Sequence, residues 1–388
     1  MSTPAKRIAI NVGGGYVAGI NAVITGTVLA ARELDWEVVG IRDGFDGLLF
    51  PERYPNGGLV PLTPESLSAG DGKILGNATG TNPFSVRYVN AENGIEEVDL
   101  SADLITKSRQ AGIDAVISIV GPQALSILFK LHKQGLATVC VPTSVENDVA
   151  ATQLSFGFNS ALSFAVDMLE RVREAARSTG KIGVVEVLGE HAGWLALQAG
   201  IAVCADAVLI PEIPYDLVEV AARLNKKGAK GRIDGLVVVA EGARPREERE
   251  LQPAGGTSDA RKSSLSPGAT GKSGSHVIER SGLGAKSVAL ELQRLTDHIA
   301  YPLVLGELVK GGAPTAVDRQ LGLAYGAGAV RALQSDRSGV MVSFQPPELT
   351  FVPLADAINK TRTVPADSLF INVARALGIS LGEGEVRS

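Results

Sequence analysis

The sequence predicts an α/β protein with doubly wound, mostly parallel sheets, and three observations lead to this prediction. Short β-branched runs alternate with helical patterns along most of the 388 residues. Aromatic residues make up only 5% of the chain, so the core must be built from Val, Ile, Leu and Ala, which suits a parallel sheet covered by helices. The 45 glycines have no Gly-X-Y period, which excludes a collagen-like protein.

The predicted strands and helices follow each other in β–loop–α order. Ligands of such folds bind beyond the carboxyl ends of the strands, so the loops at 13–19, 121–123, 142–148, 189–193 and 241–244 are the candidate site. The predicted helices span about 20–33, 123–134, 160–177 and 193–202. The predicted strands are Ile8–Val12, Glu37–Ile41, Ala115–Val120, Ala137–Val141, Lys181–Leu188, Ala207–Ile210 and Gly235–Ala240.

Composition and charge exclude several classes of protein. The net charge is −5 and no basic stripe occurs, so no nucleic-acid partner is expected. No apolar run reaches about 18 residues, so no membrane span is expected. The first residues lack the layout of a signal peptide, and Cys140 and Cys204 lie in apolar runs typical of reduced core cysteines. We therefore expect a cytoplasmic protein.

Residues 244–274 differ in composition from the rest of the chain. Charged Arg-Glu repeats come first, followed by Pro, Gly, Ser and Thr with hardly any apolar residue. This composition predicts a mobile surface insertion, with a functional lid as the alternative.

Two of the candidate loops carry a chemical pattern of their own. Gly14 and Gly15 follow the first strand and open a helix, where glycines let backbone N–H groups approach an anionic ligand. Glu146 and Asp148 follow a buried strand, where one carboxylate could act as a general base and the other could bind a metal or orient the site. The alternatives are a tight turn for the glycines and turn or helix capping for the acids.

Taken in chain order, the loops resemble the motifs of the 6-phosphofructokinase family, in particular its bacterial ATP-dependent and pyrophosphate-dependent branch. The resemblance covers nearly the whole chain. The matching segments are Gly14-Gly-Tyr-Val-Ala-Gly-Ile-Asn21, Asp43-Gly-Phe-Asp-Gly-Leu48, Ser144-Val-Glu-Asn-Asp148, Leu188-Gly-Glu-His-Ala-Gly-Trp194, Ala240-Glu-Gly-Ala243 and the stretch from Leu305 to Arg319.

The resemblance implies two doubly wound lobes with an active-site cleft between them. The larger, donor-side lobe would comprise 1–157 and about 309–358, and the smaller, acceptor-side lobe 158–308 and about 359–388. The family reaction moves a phosphoryl group from ATP or pyrophosphate to the 1-hydroxyl of fructose 6-phosphate, generally with Mg²⁺. Family members complete the acceptor site across a subunit interface, which implies a homodimer or homotetramer.

The resemblance also assigns roles to individual residues. Glu146 is the implied catalytic base, and Asp148 is the second catalytic acid and the candidate metal ligand. The donor-phosphate loops would contribute Gly14, Gly15, Gly121 and Gln123. The implied acceptor-binding residues are Ser144, Lys181, Leu188, Gly189, Glu190, Glu241, Tyr301, Glu307 and Lys310.

The sequence departs from the family pattern at the polar positions. Glu146 replaces an Asp, which moves the carboxylate by about 1.5 Å. Pro122 replaces the aspartate that serves Mg²⁺, so the resemblance leaves the metal uncertain. On the acceptor side, Glu190 and Tyr301 each replace an arginine of the family and Glu307 replaces a histidine, and the two carboxylates would repel a phosphate. A donor-side arginine is replaced by Thr79, and Thr143 and Gln123 match neither donor pattern.

These departures leave three hypotheses. The first is an active phosphotransferase with altered specificity for a sugar or sugar phosphate. The second is a catalytically impaired paralogue that binds a small phosphate or sugar ligand, or forms a hetero-oligomer with an active phosphofructokinase as its regulatory or structural partner. The third is a different reaction on the same scaffold.

Overall fold

The computed structural model describes residues 6–68, 75–76, 82–89, 95–227, 233–246 and 282–384. The chain divides into two compact units. Unit 1 comprises Met1–Ser163 and Val309–Arg362, and unit 2 comprises Phe164–Leu308 and Thr363–Ser388. Thr79 and the part of the predicted insertion from residue 247 onward lie outside the described residues.

A seven-stranded sheet forms the centre of unit 1. Its strands are Arg7–Gly13 (β1), Glu37–Ile41 (β2), Leu59–Pro61 (β3), Ala115–Val120 (β6), Thr138–Pro142 (β7), Val340–Gln345 (β12) and Glu348–Pro353 (β13). Their order is β13-β12-β7-β6-β1-β2-β3, and the five central strands are parallel, with antiparallel β13 and β3 at the two edges. A separate antiparallel hairpin joins Val86–Val89 (β4) to Ile95–Val98 (β5).

Helices cover the sheet of unit 1. All six residues of β6 are buried, as expected for a strand with helices on both faces. The helix Phe158–Thr179 begins in unit 1 and continues into unit 2. The other helices are Ile20–Arg32, Asp46–Leu49, Pro64–Ser68, Ser101–Gln110, Leu125–Lys133, Ala316–Gln334 and Leu354–Ala357, with 3-10 turns at Pro51–Arg53 and Pro122–Ala124.

Unit 2 contains a four-stranded parallel sheet. Its strands are Ile182–Val187 (β8), Ala207–Leu209 (β9), Gly235–Ala240 (β10) and Ala300–Val304 (β11), and their order is β11-β8-β10-β9. The helices of this unit are Trp194–Ala202, Leu217–Lys227, Leu283–Thr296 and Leu369–Ala376, and the 3-10 turn Gly306–Lys310 follows β11.

The predicted α/β class with mostly parallel sheets is confirmed. All seven predicted strands are present, and their ends lie within one residue of the predicted positions. The strands that the sequence did not predict are β3, β4, β5, β11, β12 and β13. Three of them have only three or four residues, β11 is an edge strand that contains Pro302, and β12 and β13 include polar residues. In the part of the chain that the structure describes, no helix is both long and apolar enough to cross a bilayer.

Candidate functional site

Three loops of unit 1 meet where β1, β6 and β7 end. These strands are adjacent and parallel, so their carboxyl ends lie at one edge of the sheet. A Cβ atom on Gly14 would lie 3.9 Å from the amide nitrogen of Gly121, and one on Gly121 would lie 3.7 Å from the carbonyl oxygen of Thr143. Gly14 has a φ of +101°, which favours glycine. The 121–123 loop therefore has the backbone of the glycine loop on one side and that of the 142–148 loop on the other.

A lysine from much later in the chain reaches the same edge. The Lys310 ammonium nitrogen would lie 3.7 Å from a Cβ atom on Gly15, and both residues belong to unit 1. Gly15 and Gln123 are exposed, and Lys310 is half-buried. This edge thus combines accessible backbone with a cation, an arrangement suited to phosphate oxygens.

The two candidate carboxylates lie on a tightly hydrogen-bonded turn. The Ser144 hydroxyl donates to Oδ1 of Asp148 at 2.6 Å and accepts the Glu146 amide at 3.0 Å. Ser144 and Asp148 are buried, each with 8% exposure, whereas Glu146 is half-buried. One serine therefore fixes the buried carboxylate and the backbone of the more accessible one.

Asn147 separates the two carboxylates and adopts a left-handed conformation with φ of 55°. Its side chain closes the turn, because Oδ1 accepts the Ser155 amide at 2.9 Å and Nδ2 donates to the Gln153 carbonyl at 3.3 Å. The backbone on this turn also receives hydrogen bonds from Arg362, whose amide donates to the Asp148 carbonyl at 2.8 Å. The Arg362 guanidinium donates to the Asn147 carbonyl at 3.2 Å.

Asp318 connects two helix starts behind the glycine loop. It is fully buried, and its Oδ2 accepts the amide and the hydroxyl of Ser160 at 2.7 and 2.6 Å. Its Cβ atom would lie 3.8 Å from a Cβ atom on Gly19. The carboxylate of Asp318 thus bonds to Ser160 at the start of a neighbouring helix, which makes it a supporting residue of this edge.

A magnesium site built by protein side chains alone does not fit the described residues. They contain no group of three or more His, Cys, Asp or Glu side chains placed to hold a metal ion. Oδ1 of Asp148 already accepts the Ser144 hydroxyl. Magnesium commonly binds through one or two carboxylates together with substrate phosphates, so a metal at this edge would depend on the bound donor.

In unit 2, a second group of predicted residues follows the carboxyl ends of β8 and β10. The Gly242 amide donates to the Gly189 carbonyl at 2.9 Å, and a Cβ atom on Gly242 would collide with the Glu190 carbonyl. The two loops are therefore packed backbone to backbone. Leu188 is buried, Glu241 half-buried and Glu190 exposed.

The loop after β11 places Glu307 at the same edge of this sheet. β11 is parallel to β8, and the Leu305 amide extends their pairing by donating to the Glu186 carbonyl at 2.9 Å. Glu307 follows two residues later and is exposed. Glu190 and Glu307, the two carboxylates that stand where the family has cationic residues, are thus both accessible to solvent.

The chain does not bring Lys181 and Tyr301 to that edge. Lys181 precedes the first residue of β8, and Tyr301 pairs with Gly183 near the start of that strand. The length of β8 separates them from Glu190 by about 20 Å. The Tyr301 hydroxyl donates to the Val172 carbonyl at 3.4 Å, and burial raises the pKa of this phenol.

Sequence reasoning missed Arg362 and Asp318 as residues that support the site. Asp318 lies in a recognised motif, so its burial could have been suspected from that pattern. Arg362 is 215 residues away from its acceptor on Asn147 and has no local pattern that indicates this contact.

Unit 2 also contains a cavity of about 1120 Å³ whose lining includes none of the predicted site residues. The helix Leu217–Lys227 and the C-terminal segment contribute most of its wall. It is lined by Glu212, Ile213, Pro214, Glu219, Ala222, Arg223, Lys226, Arg246, Arg375, Glu383 and Gly384.

Comparison with known proteins identifies relatives along the whole chain. A family model described as Phosphofructokinase matches residues 7–333. The chain is 36% identical over 386 residues to the ATP-dependent 6-phosphofructokinase of Chloroflexus aggregans, and the match covers 99% of both chains.

Solved structures of low sequence identity share the fold. Pichia pastoris phosphofructokinase in the T-state matches with a TM-score of 0.71 and 22% identity, covering 97% of this chain and 37% of that one. The pyrophosphate-dependent phosphofructokinase from Marinobacter aquaeolei matches with a TM-score of 0.70 and 19% identity, covering 97% and 92%.

Proposed function

The chain belongs to the phosphofructokinase family, and from this premise we propose that it moves a phosphoryl group from ATP or pyrophosphate to a hydroxyl of a sugar or sugar phosphate. The observation that carries the proposal is the convergence of the glycine loop, the 121–123 loop and the Glu146–Asp148 turn at one edge of the unit 1 sheet. Phosphoryl transfer requires mainly positioning and charge stabilisation, and these elements are suited to both.

In the proposed reaction, Glu146 accepts the proton of the acceptor hydroxyl. The hydroxyl oxygen then forms a bond to the terminal phosphorus of the donor, while the bond from that phosphorus to the leaving ADP or phosphate breaks. Asp148, held by Ser144, orients the turn, and backbone amides near Gly14 and Gly121 together with Lys310 bind phosphate oxygens. Mg²⁺ carried by the donor would neutralise phosphate charge.

Altered acceptor specificity is part of the proposal. The exposed carboxylates of Glu190 and Glu307 would repel a phosphate group that the acceptor already carries before the transfer. The preferred acceptor would then be less anionic than fructose 6-phosphate. The Chloroflexus aggregans relative is an ATP-dependent 6-phosphofructokinase, which favours ATP as the first donor to test.

The test measures phosphoryl transfer by purified protein from ATP and from pyrophosphate, with and without Mg²⁺. The acceptor panel contains sugars, sugar phosphates including fructose 6-phosphate, and nucleosides. We expect turnover that Glu146→Gln lowers by about 10²–10⁴-fold, because the amide cannot accept the proton.

The matched control is Glu348→Gln, which makes the same change at an exposed residue of the edge strand β13 and leaves the proposed base in place. We expect this variant to keep wild-type turnover. Absence of turnover over the whole panel, together with co-purification of an active homologue, would replace the proposal with the impaired-paralogue hypothesis.

A further inference from the structure

The turn that carries the two candidate carboxylates is fixed both by residues within the turn and by one residue that is far away in sequence. Ser144 and Asn147 act from within the turn, through the hydrogen bonds to Asp148, Ser155 and Gln153. Arg362 acts from 215 residues away. Local contacts define the shape of the turn, and the distant contact attaches it to another part of unit 1.

Arg362 binds this turn at three points. Its amide donates to the Asp148 carbonyl at 2.8 Å, Nη1 donates to the Asn147 carbonyl at 3.2 Å, and Nη2 donates to Oε1 of Gln153 at 3.4 Å. A β-bridge between Val149 and Thr361 continues the same contact. The acceptors include the carbonyls of the residue between the two carboxylates and of the second carboxylate itself.

The chemistry of the arginine side chain suits this role. The guanidinium has five donors in a planar fork, so one side chain can bind two acceptors on the turn with fixed geometry. Arg362 is half-buried, and burial lowers the pKa of its guanidinium, which nevertheless stays charged at neutral pH. Lysine carries its three donors on one nitrogen at the end of a flexible chain, and it lacks the planar fork that fixes two acceptors at once.

We infer that Arg362 is a positioning residue that fixes the Glu146–Asp148 turn for phosphoryl transfer, an inference that rests on the proposed function. Asn147 lies in a left-handed conformation between the two carboxylates. A change in its orientation would move the carboxylate on either side. A misplacement of about 1 Å at a reacting group can cost about a hundredfold in rate.

The first measurement is steady-state kinetics of Arg362→Met and Arg362→Lys on the acceptor and donor that wild type uses. We expect Met to lower kcat by about 10–100-fold with KM within about threefold, because the base is displaced while the binding groups remain. Lys should recover part of the loss. The matched control is Arg331→Met, an exposed arginine that donates to the Leu349 carbonyl and should keep wild-type kinetics.

The second measurement does not depend on activity. Hydrogen exchange of peptides covering 143–156 should rise in Arg362→Met and stay unchanged in Arg331→Met. Wild-type kcat in Arg362→Met, or unchanged exchange in those peptides, would overturn the inference. If wild type shows no turnover on any acceptor, the proposed function fails and the exchange result alone decides whether Arg362 holds the turn. If Arg362→Met does not fold, both measurements are read on Arg362→Lys.

Discussion

The Ser144 hydroxyl donates to the Asp148 carboxylate at 2.6 Å, and both residues are buried. A buried carboxylate must be hydrogen-bonded, because its transfer from water is costly. Hydrogen bonds to charged groups are about twice as strong as neutral ones. Ser144 therefore stabilises the folded state, and this effect is separate from any contact with an acceptor substrate.

Ser144→Ala tests this contribution to stability. Removal of the hydroxyl takes away the donor to Asp148 and the acceptor of the Glu146 amide. We expect the free energy of unfolding to fall by about 1.5–3 kcal/mol, measured by urea denaturation. Thr106→Ala is the control, because that hydroxyl is exposed and bonds only within its own helix, and its effect should stay within about 0.5 kcal/mol. Equal effects of the two variants would contradict this assignment.

Glu186 decides how one helix of unit 2 begins. It is a strand residue with 2% exposure, yet its carboxylate accepts the amides of Gly282 and Ala285 at 2.6 and 2.8 Å. These amides lie at the N-terminus of the helix Leu283–Thr296, where the helix dipole favours negative charge. The glutamate thus supplies the cap that the residue before the helix, Gly282, cannot provide.

Glu186→Ala is expected to lower the free energy of unfolding by about 3 kcal/mol, because it leaves buried amides without an acceptor. Glu186→Gln keeps one acceptor oxygen and should lose less. Glu37→Ala, which breaks an exposed pair with Arg7, should cost less than about 1 kcal/mol. A loss at Glu186 no larger than that at Glu37 would show that the helix start is held by other contacts.

Two helices of unit 1 approach so closely that glycine is required between them. A Cβ atom on Gly26 would collide with the Leu323 carbonyl, and one on Gly326 would collide with the Val23 carbonyl. The helix Ile20–Arg32 carries the glycine loop at its start, so its distance from the helix Ala316–Gln334 also sets the position of that loop.

Gly26→Ala separates packing from helix propensity. In an exposed helix the change would stabilise by about 1 kcal/mol. Here we expect destabilisation by about 1–3 kcal/mol, because the helices must move apart. Thermal unfolding measures the sign, and Thr25→Ala on the same helix is the control, expected to be within about 0.5 kcal/mol of wild type. A higher melting temperature in Gly26→Ala would contradict the close packing.

At the scale of the whole molecule, the positions of the predicted acceptor-binding residues in unit 2 indicate how copies of the chain assemble. Within one chain, Lys181 and Tyr301 lie at the start of β8 and β11, whereas Glu190 follows the far end of β8. The predicted acceptor site would therefore need Lys181 and Tyr301 from a second copy. The edge strand β11 also exposes Leu303 and Val304.

We expect a homodimer or homotetramer in solution. Light scattering at micromolar concentration should give two or four times the chain mass of 40.3 kDa. If the neighbouring copy contributes Lys181, mixing Glu146→Gln with Lys181→Met should restore part of the activity that each variant lacks alone. A monomer, or no restoration in mixed oligomers, would contradict a shared acceptor site.

The sequence alone determined the α/β class, the buried parallel strands and the family. β10 is a continuous apolar run and β6 is interrupted only by Ser118, while the glycine and acidic motifs directly follow β1 and β7, so local pattern is sufficient. The meeting of the three unit 1 loops also follows from sequence, since parallel strands end at one edge.

Tertiary structure alone decided which distant side chains hold those motifs in place. Arg362 reaches Asn147 across 215 residues, and Glu186 caps a helix 96 residues further on. The Tyr301 hydroxyl is directed to the Val172 carbonyl, 129 residues before it. No periodicity or spacing encodes such pairings, because each depends on where the packed elements bring two backbones together, and that is settled by burial of the whole core.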